Sequence, residues 1–426
     1  MDDRVFVKCA WRVIAFALAG YAINYLDRSN VGFAALTMNR DLGFSASVYG
    51  FGAGLFYVSY ALFQVPANLV LHRIGARRWM CCIFVAWGTV AAASALVRSA
   101  AGFYALRFAL GMAEAGFFPG MILYLSFWFP RAWMGRMATL FMAAAPASLL
   151  IGGPLASVIL QIDGAAGLHG WQWLFLLEGA PACIAGIALF FWLPDGPAQA
   201  RWLSEDERRV IQSRLTDEHA SKRVDVMSGL LDPRVWLLGL LAGCIVLATY
   251  GFAFWLPLIV QGLGFGNFVT GILVALIYLS TFPVMLLWAR SSDRSGERIW
   301  HVASAALFGA AMLMIGAATH SELVVLLGLA GAAGGMYSAL PLFNTIAPSF
   351  LGGGALASGF ALINMIASLI GGFAAQYLIG ILRERTGGYV AGLMLIAMSL
   401  VIAAAIVLAF GRAASIRKAA EEAVRA

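Results

Sequence analysis

Long apolar stretches, broken by short polar ones, run through this 426-residue chain. Residues 235–289, 323–382 and 386–411 contain no Asp, Glu, Lys, Arg or His. A helix of ~20 apolar residues crosses a bilayer, so each of these stretches has room for one or two spans. The whole pattern predicts twelve membrane-spanning helices. They lie near residues 11–36, 46–71, 79–97, 100–128, 137–162, 171–193, 233–260, 267–289, 299–319, 322–343, 355–381 and 388–411.

The composition indicates that these apolar stretches belong to a membrane protein and not to the core of a soluble protein. Hydrophobic residues make up 62% of the chain and charged residues only 12%, against about 25% charged residues in soluble domains. A surface so poor in charge is stable against lipid, where only helices or closed barrels satisfy the backbone. Because the apolar stretches have helical length, the sequence predicts an all-α membrane protein.

The residues that enzymes and metal sites need do not occur in usable patterns. The five cysteines lie in or beside predicted spans without metal-ligand spacing. The chain has no phosphate-binding glycine loop and no nucleophile–base arrangement, and its five His residues lie in or near predicted loops. We therefore expect neither an enzyme nor a bound metal or cofactor.

Lys and Arg are distributed unevenly between the two sides of the predicted membrane. The formal net charge is +7, and most Lys and Arg residues fall in the termini and in every second loop. By the positive-inside rule, this bias predicts that both termini are cytoplasmic. The positive net charge is therefore explained by the membrane topology, and we expect no nucleic-acid partner. The first apolar stretch is too long for a cleavable signal peptide.

A polar segment and a repeated motif divide the chain into halves. In the polar segment, Ser204–Glu207 is a capping box that opens an amphipathic helix. The pattern Asp/His-Arg-x-Gly-x-Arg follows both the second and the eighth predicted span, which indicates two bundles related by an axis along the membrane normal. The predicted domains are a six-helix bundle at 1–193, a cytoplasmic connector at 194–232, a second bundle at 233–411 and a tail at 412–426. The motif positions expected to act in conformational change are Arg73, Gly75, Arg77, Asp293, Arg294, Gly296 and Arg298.

Four charged residues lie deep inside predicted spans. Asp27 and Arg28 are neighbours in the first span, and Asp27 lies ~24 Å along the helix that begins at Trp11. Arg107 and Glu114 are seven residues apart in the fourth span and therefore share a helix face. Charges at such depth are costly and are seldom kept without a use, so they mark a transport or proton site.

Buried carboxylates and guanidinium groups suit different tasks in a transporter. A carboxylate in lipid favours its neutral form unless a cation lies beside it, so Asp27 and Glu114 are candidate proton carriers. Arg28 is the candidate for binding a substrate carboxylate in bidentate geometry, with Arg107 as the balancing charge. A static network of ion pairs is the alternative. For Glu178, nearer the predicted outer interface, we expect a structural role.

The second half of the chain has no charged residue at the centre of its predicted spans. We therefore expect this half to provide neutral hydrogen bonds. Asn344 and Asn364 are candidate substrate contacts, with hydrogen bonding between helices as the alternative. Tyr60 in the first half and Tyr250 in the second are candidate walls of a substrate cavity, with packing against lipid or core as the alternative.

Several strings of residues resemble a known family of membrane transporters. They are Asn24–Asn30, Glu114–Gly120, Trp128–Pro130 and Trp171–Gly179. With the twelve predicted spans and the paired motif, they make the chain similar to the major facilitator superfamily, and within it to the anion:cation symporters of tartrate and aromatic acids. The first motif copy departs from the family pattern at Asn68 and His72. The resemblance implies two pseudo-symmetric six-helix bundles, an anion contact at Arg28, and proton uptake at Asp27 and Glu114.

The combined interpretation is proton-coupled import of a small organic anion by alternating access. We expect a monomer in a bacterial inner membrane, with a carboxylate such as tartrate, a sugar acid or an aromatic acid as substrate. The membrane potential opposes anion entry by ~2.3 kcal/mol per charge and 100 mV, so a dianion needs two protons to move without net charge. An anion exchanger or exporter that uses no protons is one alternative. A membrane sensor with a transporter-like body is another.

Overall fold

The computed structural model describes residues 2–219, 231–350 and 355–425, and every regular element in those ranges is helical. We number the α-helices in chain order. They are α1 (Asp2–Asp41), α2 (Ala46–Ile74), α3 (Ala76–Ala93), α4 (Ala100–Glu114), α5 (Phe117–Ser126), α6 (Arg131–Met142), α7 (Ala144–Ile159), α8 (Gly170–Trp192), α9 (Glu205–His219), α10 (Pro233–Gln261), α11 (Asn267–Ser295), α12 (Ile299–Ala317), α13 (Glu322–Phe350), α14 (Ala355–Ala367), α15 (Ala375–Thr386) and α16 (Val390–Arg425).

Twelve helical segments in the described ranges are long and apolar enough to cross a membrane. This confirms the twelve spans predicted from the apolar pattern, and with them the all-α membrane class. Three of the spans consist of two helices each. α4 and α5 share the fourth span, α6 and α7 the fifth, and α14 and α15 the eleventh, where the π-helical Ser368–Ala374 joins them.

Prolines account for the breaks in the fourth and fifth spans. α4 ends at Glu114, and α5 begins three residues later. Pro119 has no N–H to donate to the carbonyl of Ala115, four residues before it, and its ring crowds that carbonyl. In the same way, α6 ends at Met142, four residues before Pro146. Glu114 therefore lies in the last turn before a break in its span.

One compact unit of the chain contains Met1–Gly43, Leu55–Lys222 and Asn267–Gly271. Within it, α3 and α8 cross so closely that a β-carbon on Gly88 would lie 2.7 Å from the carbonyl oxygen of Gly179. α8 also packs against α1, and α1 packs against α7. The helix that carries Asp27 and Arg28 therefore lies against two other spans of its own unit.

The other compact unit contains Phe44–Gly54, Arg223–Gly266 and Ile272–Ala426. Its α10 is buried along most of its length and packs against α14, α16 and the π-helical segment. The first turns of α2 belong to this unit, where a β-carbon on Gly50 would collide with the carbonyl oxygen of Gln376. The domain boundaries expected from the sequence stay a prediction.

The start of the polar connector is attached to the first unit. The predicted capping box is present: the Glu207 amide donates to Ser204 Oγ at 3.2 Å, and the Ser204 amide donates to Glu207 Oε2 at 2.9 Å. Lys8 Nζ on α1 donates to both carboxylate oxygens of Glu207, at 2.9 and 2.8 Å. This hydrogen bond is the main cause that lowers the pKa of Glu207. Trp202 stacks on Trp128 with ring centroids 5.5 Å apart, so α9 is held on the first unit.

Both copies of the loop motif turn through a glycine in the left-handed region. Gly75, before α3, has a φ of 85°, and Gly296, after α11, has a φ of 67°. Residues with a β-carbon seldom adopt this conformation, which explains glycine at both places. Arg73 and Arg294 are exposed.

Each copy of the loop motif contacts a carboxylate group, and the two carboxylates come from different parts of the chain. In the second copy, Arg298 Nη1 lies 2.8 Å from Asp293 Oδ1. The first copy has His72 at the corresponding position, and there the Arg77 amide donates to Asp195 Oδ1, from the segment after α8, at 2.8 Å. Asp195 therefore contacts the backbone of the first loop, whereas Asp293 pairs with an arginine side chain of the second. The part of these loops in conformational change stays a prediction.

Candidate functional site

All the buried charged side chains among the described residues belong to the first unit. They come from three helices, and each is at most 8% exposed. They are Asp27 and Arg28 on α1, Arg107 and Glu114 on α4, and Glu178 on α8. Among all the residues that the structure describes, no group of three or more His, Cys, Asp and Glu side chains is arranged to hold a metal ion.

A buried ion pair joins α1 to α4. Arg28 Nε lies 2.7 Å from Glu114 Oε2, and Asn24 Nδ2 donates to the same oxygen at 2.7 Å. Removal of one partner from such a pair strands the other charge away from water, which costs about 3–5 kcal/mol. The predicted anion-binding residue is therefore paired with one of the two predicted proton carriers.

Asp27 faces a different set of partners. Adjacent residues on a helix point ~100° apart, so Asp27 and Arg28 cannot share one partner in the same way. Asn30 Nδ2 donates to Asp27 Oδ1 at 3.0 Å. Arg107 acts electrostatically on Asp27 and on Glu114. Arg107 thus lies within reach of both predicted proton carriers, and its role as a balancing charge stays a prediction.

Two aromatic rings of α2 lie against the guanidinium groups. The Cζ atom of Arg28 lies 4.6 Å from the ring centre of Tyr60 and 5.3 Å from that of Phe56. The Cζ atom of Arg107 lies 4.9 Å from the Phe56 ring. Each such cation–π contact stabilises a buried cation by about 0.5–2 kcal/mol. The structure therefore places Tyr60, predicted to wall the cavity, directly beside the predicted anion-binding residue.

Sequence reasoning missed three residues of this cluster. Asn24 lies one turn before Arg28, with which it shares Glu114, and Asn30 lies three positions after Asp27, to which it donates. Phe56 lies one turn before Tyr60 on α2. The signal was present in the spacing, since polar residues in an apolar span gather on the face that avoids lipid.

Glu178 of α8 belongs to the same cluster. It is 6% exposed, and its carboxyl group interacts with Asp27 and Asn30. The sequence placed Glu178 only by counting seven residues from Trp171, which suggested a place nearer the outer interface. The approach of α8 to α1 brings it within electrostatic reach of Asp27, a relation between helices that counting along one helix does not give.

The predicted substrate contacts of the second half lie in the second unit. Tyr250 on α10 is partly exposed, and Asn344 on α13 and Asn364 on α14 are exposed. Tyr278 and Tyr337 form a perpendicular pair with ring centroids 5.8 Å apart. The first three residues are thus accessible from outside the core of their unit, and their contacts with a substrate stay predictions.

Comparison with known proteins relates the whole chain to one family. The family described as the Major Facilitator Superfamily matches residues 17–376. An Agrobacterium vitis protein, provisionally named a tartrate transporter, is 42% identical over 417 residues, which cover 97% of this chain and 96% of the relative. The quinolone resistance transporter of Acinetobacter baumannii is 37% identical over 398 residues, covering 91% of this chain and 92% of the relative.

A solved structure has the same fold at low sequence identity. It is a bacterial homologue of the human lysosomal transporter Spinster, in an inward-facing and occupied conformation. The TM-score is 0.76 with 17% identity, over 94% of this chain and 96% of that chain. The fold is therefore shared with a transporter of different sequence.

Proposed function

The chain belongs to the Major Facilitator Superfamily, and we propose that it imports a small organic anion together with protons by alternating access. As a member of this family it is a multi-pass membrane transporter and not an enzyme. The observation that carries the proposal is the buried ion pair between Arg28 and Glu114, 2.7 Å apart.

A proton and an anion exchange partners at this ion pair. When Glu114 takes up a proton, its charge disappears and the charge-assisted hydrogen bond to Arg28 weakens. The guanidinium group then binds a substrate carboxylate through two parallel N–H···O bonds. When the anion leaves, Glu114 releases its proton and pairs with Arg28 again. The anion is therefore carried only by the protonated transporter.

Asp27 provides the second proton in this scheme. Arg107 acts on both Asp27 and Glu114, so it stabilises whichever carboxylate is ionised at a given step. Two protons cancel the charge of a dianion, against which the membrane potential would otherwise act with ~2.3 kcal/mol per charge at 100 mV. Two exchangeable carboxyl groups therefore suffice to move a dicarboxylate without net charge.

The substrate class is a small carboxylate with further polar or aromatic groups. The relative provisionally named for tartrate supports a hydroxylated dicarboxylate. The rings of Phe56 and Tyr60 beside the guanidinium group also suit an aromatic acid. Tyr250, Asn344 and Asn364 supply neutral hydrogen bonds to the rest of the substrate.

The transporter works as a monomer in a bacterial inner membrane with both termini in the cytoplasm. The concentration of Lys and Arg in the termini and in alternate loops supports this orientation. A fluorescent reporter that matures only in the cytoplasm, fused after Ala426, is expected to fluoresce. A periplasmic phosphatase fused at the same place is expected to stay inactive.

Export is the second candidate function. The quinolone resistance transporter is 37% identical to this chain over 398 residues, and its name connects it with resistance to a drug, which a transporter confers when it carries the drug out of the cell. Proton-driven export would be an antiport, in which protons enter as the organic acid leaves, and the anion and the proton would then not be carried in the same step.

Uptake into proteoliposomes tests both candidates. Purified protein is reconstituted, and tartrate, phthalate, hydroxyphenylacetate and a quinolone are each offered with and without an inward proton gradient. Accumulation of one acid that depends on the gradient supports symport, and its loss in Arg28→Ala but not in Glu205→Gln, an exposed change on α9, locates the anion site. Flux that ignores the gradient and needs an anion inside would overturn the proposal in favour of exchange. Expulsion of the acid by the same gradient would favour export.

A further inference from the structure

The buried charges of the first unit do not balance. Three carboxyl groups, those of Asp27, Glu114 and Glu178, share it with the two guanidinium groups of Arg28 and Arg107, among the side chains that the structure describes. With all five ionised, the cluster would hold an excess negative charge away from water, and an uncompensated buried charge costs several kcal/mol. One carboxyl group is therefore neutral whenever no further cation is bound.

The contacts of the three acids single out Glu178. Glu114 lies 2.7 Å from one arginine, and Asp27 is acted on by the other. The neighbours that act on Glu178 are Asp27, which is an anion when ionised, and the neutral Asn30. Glu178 is thus the acid whose ionised form receives least support.

Glu178 and Asp27 also present oxygen atoms that nothing in the described structure satisfies. Oε2 of Glu178 and Oδ2 of Asp27 are buried without a hydrogen-bond partner. Asn30 donates to the other oxygen of Asp27 at 3.0 Å, and the same amide interacts with Glu178. Buried polar atoms are nearly always hydrogen-bonded. Both carboxyl groups therefore interact with the amide of Asn30, and each has one buried oxygen atom at which a proton can bind.

Apart from α1, the elements packed against α8 add no cation to the cluster around Glu178, in the part of the chain that the structure describes. α7 has no ionisable residue, nor do the 3₁₀ turns at Ser94–Leu96 and Leu160–Ile162. α3 faces the neighbouring Gly179 with Gly88, Ala91 and Ala92. Its ionisable residues are in its first two turns, at Arg77, Arg78, Cys81 and Cys82. The charged groups of the cluster are therefore Asp27 and Arg28 on α1, and Arg107 and Glu114 on α4.

We propose that Glu178 is a further proton-binding residue, which exchanges a proton with Asp27 at the site that the two carboxyl groups form with Asn30. In this step an O–H bond breaks on one carboxyl group and forms on the other, so the net charge of the cluster is unchanged. Like charges that share a site resist simultaneous ionisation, so the pair keeps one proton. When Asp27 takes up a second proton from solvent, Glu178 releases its own proton to solvent, and the proton on Asp27 then moves to Glu178.

This inference deepens the proposed function and rests on its proton coupling. Because the cluster keeps one proton when it is empty, the number of protons carried with each anion stays at two. Glu178 adds a route by which the proton of Asp27 is released. Without Glu178, Asp27 keeps its proton and one of the two coupled protons is lost.

Infrared spectroscopy of the purified full chain tests the proton on Glu178 without reference to transport. The C=O stretch of a protonated carboxyl group is separate from the carboxylate bands, and it shifts in D₂O when the proton exchanges. We expect a protonated band that shifts in D₂O, disappears in Glu178→Gln, and persists in Glu205→Gln, whose carboxyl group is exposed. In Glu178→Asp the band should remain at an altered frequency, which covers the case in which the glutamine variant does not fold. An unchanged band in Glu178→Gln, or a band that D₂O does not shift, would overturn the inference.

Transport stoichiometry tests the coupling separately. In proteoliposomes with an inward gradient of about one pH unit, one coupled proton fewer lowers the accumulation ratio by about tenfold. We expect that loss in Glu178→Gln and wild-type accumulation in Glu205→Gln. Wild-type accumulation in Glu178→Gln would mean that its proton stays in place during transport, which rejects the exchange. If the wild-type protein itself ignores the gradient, the proposed symport fails, while the infrared result still decides whether Glu178 binds an exchangeable proton.

Discussion

Replacement of Glu114 by glutamine separates the charge of this residue from its shape. Glutamine keeps the length and the hydrogen-bonding oxygen of the side chain, but it cannot ionise. In the proposed cycle it imitates the protonated transporter at every pH. We therefore expect Glu114→Gln to bind the substrate anion without the dependence on acid that the wild-type protein shows, and to catalyse exchange without proton-driven accumulation.

The size of the effect follows from the Arg28–Glu114 contact. In the wild-type protein at alkaline pH, an anion must displace the carboxylate from a hydrogen bond of 2.7 Å to Arg28 Nε. A hydrogen bond to a charged group contributes about 1.5–3 kcal/mol net, which corresponds to about ten- to hundredfold in affinity. Glu114→Gln should therefore bind the anion about ten- to hundredfold more tightly than wild type in alkaline solution. The two proteins should converge as the pH falls, because wild-type Glu114 is then protonated as well.

Isothermal titration calorimetry with the purified proteins measures these dissociation constants across a pH series. Arg28→Ala shows the baseline without the anion contact, and Glu205→Gln controls for the loss of a glutamate elsewhere. The reasoning is refuted if Glu114→Gln binds more weakly than wild type at alkaline pH, or if its affinity keeps the wild-type dependence on pH. Either result would make the Arg28–Glu114 pair a static support between α1 and α4.

Three further changes test other contacts. Lys8 lowers the pKa of Glu207, so this contact stabilises the fold at pH values above the usual carboxyl pKa, and the effect is lost as the pH falls through the pKa of Glu207. Glu207→Gln should therefore lower stability at neutral pH by at most about 1 kcal/mol, and the thermal unfolding curves of the two proteins should coincide in acid. Gly88→Ala should destabilise the fold by about 1–3 kcal/mol, because its β-carbon would lie 2.7 Å from a carbonyl oxygen of α8. Gly135→Ala, whose β-carbon would meet nothing within 4 Å, should leave the stability unchanged, and unfolding by denaturant compares the two variants. Tyr60→Ala should weaken anion binding about two- to thirtyfold through loss of a cation–π contact, and Tyr60→Phe should retain it, as titration calorimetry would show.

The sequence was sufficient to predict the number of spans and the charged positions of the site. Membrane thickness sets the length of an apolar helix, so each span leaves its own signal in the chain. Charge in lipid is costly, so Asp27, Arg28, Arg107 and Glu114 stood out without any knowledge of their neighbours. Both signals are local, and the structure confirms the spans and brings the four charged residues into one unit.

The pairing of those charges depends on the approach of separate helices and was not accessible from spacing. Arg28 and Arg107 were both possible partners of Glu114, and only the approach of α1 to α4 places Arg28 Nε 2.7 Å from its carboxylate. Glu178 is a second case, because its distance along α8 from Trp171 says nothing about which face meets α1. Asp195 is a third, since it accepts from the Arg77 amide in the first loop although it lies more than a hundred residues further along the chain.

The attachment of α9 decides where this chain can be divided. Lys8 holds Glu207, and Trp202 stacks on Trp128, so the connector as far as α9 is built into the first unit. A split transporter, expressed as two separate polypeptides, should therefore be cut after His219 and before Pro233. A cut at Pro194 would instead leave the first polypeptide without Trp202 and Glu207, exposing the indole of Trp128. The same limits mark where an affinity tag or a reporter domain can be inserted without loosening α9.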